Sequence, residues 1–119
     1  MATRAEVMAT ARWQARQHMD GDLLTAAQWH ECLARAWRRV WNLHPEAFHV
    51  DGELVGERPE LPNVADAAAV LPISDEWLDM LGAAVAVDAL AAVVATEDVR
   101  QELAAAVLYL DGKVIRGVG

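Results

Sequence analysis

The stretch "TAAQWHECLARAWRRVWNLHPEAF", residues 25–48, decides the fold. Thr25 followed three residues later by Gln28 is a capping box, in which a hydroxyl and a side-chain carboxamide satisfy free backbone amides at a helix start. Pro45 disfavours helical geometry at His44, which predicts a helix ending near Leu43. At roughly 100° per residue, Trp29, Leu33, Ala36, Trp37 and Val40 share one side of that helix. Gln28, Glu31, Arg35, Arg38, Arg39 and Asn42 form a narrow stripe opposite. The apolar side has to be buried against other elements, so Trp29 and Trp37 are core residues, because large aromatics at helical spacing bury area first. Trp41 lies at the edge of the apolar face.

Three more helices follow by the same logic. Thr3 and Glu6 form a capping box for a first helix reaching about His18, before Asp20, Gly21 and Asp22 break it. Ser74 caps a third helix, with Asp75 and Glu76 in the dipole-favoured first turn and Ile73 placed to staple against Leu78. That helix should reach about Ala95. Its run at 80–95, "MLGAAVAVDALAAVVA", is too short for a comfortable membrane span and carries Asp88 near its middle, so it reads as a buried core helix. Thr96 caps a fourth helix whose Val99, Leu103, Ala106, Val107 and Leu110 keep one apolar face until Asp111 and Gly112 end it.

Between these elements, residues 48–72 form an acidic arm rich in Gly and Pro. Its Asp51-Gly52 pair, flanked by Phe48, Val50, Leu54 and Val55, marks either a β-hairpin or a loop. Residues 111–119, "DGKVIRGVG", form an extended tail. The fold class expected is all-α: a four-helix bundle occupying one domain, 1–119, with an arm and a tail.

At 119 residues and 55% hydrophobic content the chain can bury a modest core without staples. The single cysteine, Cys32, has no internal disulfide partner, and no export signal precedes Asp20, so a reducing cytoplasm is the expected compartment. The formal net charge is -8, unevenly divided. Residues 1–50 hold six arginines against five acids; residues 51–119 hold four bases against thirteen acids.

An overall acidic chain repels a phosphate backbone, which argues against reading the arginine stripe as a nucleic-acid site. The stripe is instead either a solvated face, with Glu31 and Arg35 paired four residues apart, or an interface with an acidic surface. In the second case Arg35, Arg38 and Arg39 form a subunit interface, with Trp41 offered to the partner. Because the second half of the chain holds the excess acid, the nearest such surface is another copy, met head to tail and able to close a ring.

No catalytic pattern is present. His18, His30, His44 and His49 are not joined by a metal-ligand spacing, Cys32 has no activating neighbour, and neither a phosphate-binding glycine loop nor a Gly-x-Ser-x-Gly elbow occurs. The acidic pairs Asp75-Glu76 and Glu97-Asp98 sit at helix starts, where negative charge belongs. No enzyme activity, cofactor or metal is expected. Asp88 is either on an exposed stripe or a buried carboxylate in need of a partner. The tail either frays as a free end or, through Val114 and Ile115 between Lys113 and Arg116, forms a short strand that adds to a partner's sheet edge.

In order, "LARAWRRVWNLHPEAF", the acidic arm and "LPISDEWLDMLGAAVAVDALAAV" resemble the small helical head-to-tail connector (adaptor) proteins of tailed bacteriophages, over roughly residues 26–110. The matching positions are Pro45 at the turn after a helix, then Leu71, Pro72, Ser74, Asp75, Glu76 and Trp77 opening a small-residue helix. The resemblance implies a ring, commonly of twelve copies, beneath the portal protein, with tail or neck proteins below and DNA passing through the lumen without specific binding. It places the chain in the virion neck, and in the host cytoplasm during assembly. The tail is shorter than in longer relatives, and the portal or a neighbouring subunit is the partner implied for Lys113, Val114, Ile115 and Arg116. A contrasting expectation is a small acidic phage-encoded interaction protein, an inhibitor or DNA mimic, acting on a host protein. A small helical enzyme would be a third class, and no residue pattern points to it.

Overall fold

The computed structural model describes residues 3–17, 24–50, 53–61, 69–96 and 101–117, the helical positions 94–96 and 101–103 through their backbone alone. Among the described residues there are four α-helices, with a small two-stranded antiparallel hairpin between the second and the third. Helix α1 spans Arg4–Arg16, α2 Ala26–Leu43, α3 Leu78–Thr96 and α4 Gln101–Arg116. Strands β1, His49–Val50, and β2, Glu53–Leu54, pair with His49 opposite Leu54 and Val50 opposite Glu53. The arm at 48–72 therefore opens with a paired hairpin; Asp51-Gly52, the expected turn, lies outside the described residues.

Helix α3 is the centre, packing against α1, α2 and α4. Every residue at 81–87 is buried, so this part of the helix is surrounded on all sides. Small side chains make that possible. A Cβ at Gly82 would stand 2.6 Å from Cγ2 of Thr10, so only glycine permits the approach of α1 to α3 seen here.

The caps follow local chemistry. Thr3 accepts from the Glu6 amide at 3.2 Å and starts α1. The expected end of α1 near His18 lies outside the described residues; the helix closes at Arg16 with Gln17 as its cap. At α2 the full capping box forms, Gln28 N–H to Thr25 Oγ1 at 3.2 Å and Thr25 N–H to Gln28 Oε1 at 2.8 Å. The helix stops at Leu43, before a 3-10 turn over Pro45–Ala47.

Three expectations are corrected. Ser74 is not a side-chain cap: a 3-10 turn, Asp75–Trp77, precedes α3, and the Ser74 hydroxyl is drawn instead to His49 Nδ1 at 3.0 Å. The bridge between Phe48 and Ile73 brings those two residues together. Thr96 closes α3 instead of opening α4; positions 97–100 and Val99 among them lie outside the described residues.

The third correction concerns the tail. Asp111 and Gly112 do not end α4, which runs on to Arg116, and the expected extended tail at 111–116 is helical. A helical glycine costs about 1 kcal/mol relative to alanine, and three interactions outweigh it. Val114 is fully buried in line with Ala106 and Leu110, its carbonyl accepts from His44 Nε2 at 2.7 Å, and Asp111 is held by Arg39. The helix ends where Gly117 adopts φ 73° and donates to the Lys113 carbonyl at 3.0 Å. A Cβ at Gly117 would meet Trp77 Cζ3 at 2.8 Å and His44 Cε1 at 3.0 Å.

A short strand donated by Lys113, Val114, Ile115 and Arg116 is therefore excluded in this state, since Val114 belongs to the core. Deleting 113–119 should lower the melting temperature markedly, by an amount equivalent to roughly 2–4 kcal/mol for the lost valine and its packing. Thermal denaturation followed by circular dichroism checks this; an unchanged melting temperature would show that the last turn of α4 contributes nothing to the fold.

Candidate functional site

Helix α2 separates an inner and an outer chemistry as its periodicity demands. Trp29, Leu33, Ala36, Trp37 and Val40 are buried, and Gln28, Glu31, Arg35, Arg38 and Asn42 are exposed. On the inner side Phe48 stands edge-on to two tryptophans, 4.8 Å from Trp37 and 5.3 Å from Trp41 between ring centroids. Trp41 is thus half-buried at the rim, partly committed to its own core. Trp37 also donates its indole N–H to the Pro59 carbonyl at 2.7 Å, which ties the far side of the arm to α2.

The arginines of the stripe have separate fates. Arg35 approaches Glu31 at 3.9 Å with both side chains well exposed, an ion pair of small worth. Arg38 is exposed and forms one wall of a shallow cleft of about 360 Å³ with Arg58, Pro59 and Glu60. Arg39 bonds Asp111 of α4 within the same chain. Arg39, expected at a subunit interface, thus already has an acidic partner within its own chain. Its direction on α2, slightly inward of Arg38, puts it between α3 and α4.

Asp88 resolves in an intermediate way. It is half-buried, and burial raises its carboxyl above the ordinary carboxylate range, although Arg35 and Arg39 pull it down. Close by, burial followed by the Asp88 charge pushes the Cys32 thiol up to about 11, so the buried cysteine stays protonated and chemically quiet.

Sequence reasoning missed a polar contact between α1 and α2. Arg4, nearly fully buried, donates through Nη2 to His30 Nδ1 at 3.1 Å. Guanidinium has no acceptor, so the imidazole proton sits on Nε2. Burial, then Arg4 and Arg12, lowers the His30 pKa in keeping with that neutral ring. Arg12 lies over the Trp29 ring at 5.7 Å. Nothing in the local sequence distinguishes Arg4 from a solvated first-turn residue; only the tertiary fold, which brings His30 of α2 to its guanidinium and the Ala69 carbonyl to its backbone N–H, buries it.

The outer surface carries large apolar groups. Trp13 on α1 is 66% exposed and Leu108 on α4 73%, and Tyr109 and Ile115 of α4 are exposed as well. Lys113 caps the Tyr109 ring at 5.1 Å. Of the tail residues, Lys113, Ile115 and Arg116 are therefore outward, and Val114 is inward. Among the described residues no group of three His, Cys, Asp or Glu could hold a metal ion, and no helix is long and apolar enough to cross a membrane. No family model, curated protein or solved structure matches the chain.

Two predictions test this assignment. Arg39→Glu should lower the melting temperature, because it sets a carboxylate against Asp111 and Asp88, whereas Arg38→Glu should leave it nearly unchanged; equal effects would place both arginines in solvent. For Asp88, the folded chain holds the proton more tightly than the unfolded chain, so stability is lost as pH rises through the raised folded pKa. Asp88→Asn removes that loss. Its melting temperature should exceed the parent's at about pH 7, with the difference vanishing toward about pH 3, where both states are protonated. A parent more stable than Asp88→Asn at neutral pH would mean that Arg35 and Arg39 outweigh burial.

Proposed function

We propose that this chain is a structural subunit of the head-to-tail connector of a tailed bacteriophage, assembled as a ring, commonly of twelve copies, between portal and tail or neck proteins. The observation that carries the self-assembling part of this reading is the outward placement of Trp13, Leu108, Tyr109 and Ile115 together with the exposed guanidinium of Arg38. Aromatic, large aliphatic and arginine side chains are what protein interfaces concentrate. The connector part is supported by the order of the elements: a helix ended by Pro45, an arm, then Leu71, Pro72, Ser74, Asp75, Glu76 and Trp77 leading into a small-residue helix.

In this reading the protein is a positioned wall and not a catalyst. An acidic chain around a channel repels the DNA backbone, so DNA slides through without being held. Its location is the virion neck, after assembly in the host cytoplasm.

Negative-stain imaging and sedimentation velocity of the purified chain should show closed rings, alone or on its portal, and mass spectrometry should find many copies per virion. Arg35→Glu with Arg38→Glu should weaken assembly without altering the monomer's melt, increasingly so at low salt. A chain absent from virions and monomeric at every concentration overturns the proposal. A one-to-one complex with a host protein would then support the small acidic inhibitor or DNA mimic.

A further inference from the structure

A second feature of the surface is a groove of about 410 Å³ where the side of α1 meets the start of α3 and the end of α4. One wall is acidic, with Glu76 and Asp79; the other is basic, with Lys113 and Arg116. Among the described residues none of these four side chains lies within ion-pair distance of an opposite charge. The groove holds opposite charges apart where a flexible surface would let them pair.

Its remaining features point to a cationic side chain as guest. The exposed indole of Trp13 lines the groove and offers a ring face, the preferred platform for a guanidinium. Gln14, only 7% exposed, lines it as well. The Gln14 carboxamide is oriented by its N–H donating to the Asp79 carbonyl at 2.9 Å, which assigns nitrogen and oxygen without ambiguity. Its Oε1 is then a buried acceptor with no partner, a state that costs free energy until a donor arrives.

The chain itself carries a segment of the complementary pattern. At 57–60 it reads Glu-Arg-Pro-Glu: Arg58 is exposed, flanked by exposed Glu57 and Glu60, and lies in an irregular stretch held to α2 by the Trp37–Pro59 hydrogen bond. A proline and that bond limit the freedom the segment loses on docking. Arg58 forms a wall with Arg38, so the segment continues the arginine stripe of α2. The arm and the groove have no lining residue in common.

We propose that the groove between α1, α3 and α4 receives the 57–60 segment of a second copy, with Arg58 entering between Trp13 and the Glu76 and Asp79 carboxylates and Glu57 or Glu60 facing Lys113 and Arg116. Gln14 Oε1 accepts from the guanidinium. Because donor and acceptor surfaces differ, the contact is heterologous, and each copy can give its arm while receiving another. This inference rests on the reading of the chain as a self-assembling subunit, and it names the contact that makes the assembly directional.

The experiment uses two full-length variants. Arg58→Glu disables the arm and leaves the groove; Asp79→Lys disables the groove and leaves the arm. Each alone should be unable to form chains or rings and should sediment as a monomer, with circular dichroism confirming the helical fold. Mixed, the intact arm of one should enter the intact groove of the other and yield a one-to-one heterodimer that grows no further. Should Asp79→Lys melt early, Trp13→Ala replaces it as the groove-defective partner. A mixture that stays monomeric, or single variants that assemble like the parent, overturn the inference. Rings of the parent that survive both substitutions would leave the connector reading standing while removing this contact. A heterodimer from a protein absent from virions would do the reverse.

Discussion

The rest of the structure depends on the burial of α3. A helix whose residues at 81–87 are all withdrawn from water needs partners on every side, and α1, α2 and α4 are those partners. Glycine and alanine dominate the run because wide side chains would hold the partners off; even a methyl group at Gly82 would clash with Thr10, its Cβ only 2.6 Å from Cγ2. Dense contact of this kind is felt as stability at each methyl group. It also explains why Asp88 is permitted only toward the α2 side, where Arg35 and Arg39 temper the cost of its charge.

A second joint sets the outer parts. His44 follows the last residue of α2, lies against Trp77 at the start of α3, with 5.2 Å between ring centroids, and donates to the Val114 carbonyl near the end of α4. Gly117 passes over both rings. Three helix ends meet at one imidazole, and the same convergence shapes the groove lined by Trp13, Glu76 and Arg116. The interaction that completes the fold thus also builds the surface that a partner would use. On the other side of α2, Phe48 and the Trp37–Pro59 bond hold the arm, so that both halves of the proposed contact rest on packed aromatic groups.

Charge is distributed with the same economy. The net charge of -8 keeps the exterior hydrated and unsuited to phosphate, while single arginines are either spent internally, as Arg39 is on Asp111, or left outward, as Arg38 and Arg58 are. Outward apolar residues on α1 and α4 accompany them. In the proposed assembly, a surface that is acidic overall and locally apolar and basic would let copies meet in one orientation and disfavour others.

The sequence by itself determined the helices and the two faces of α2. Those features depend on neighbours one to four residues apart: the Thr25 and Gln28 box, the proline after His44, and the 3.6-residue recurrence from Trp29 to Val40. The central place of α3 was legible too, because a run that is apolar all round has to be enclosed. Of the candidate interface, the outward direction of Arg35 and Arg38 could be read from the same periodicity. Tertiary structure decided what periodicity cannot reach. Asp111-Gly112 looks like a stop signal locally, yet the helix continues because His44 and Arg39, some seventy residues earlier in the chain, bind Val114 and Asp111. Ser74 looks like a cap, yet His49 takes its hydroxyl. Arg4 looks solvated, yet it is buried and bonded to His30 of α2. In each case the energy comes from a partner distant in sequence, and local propensities of a few tenths to about 1 kcal/mol are too small to resist it.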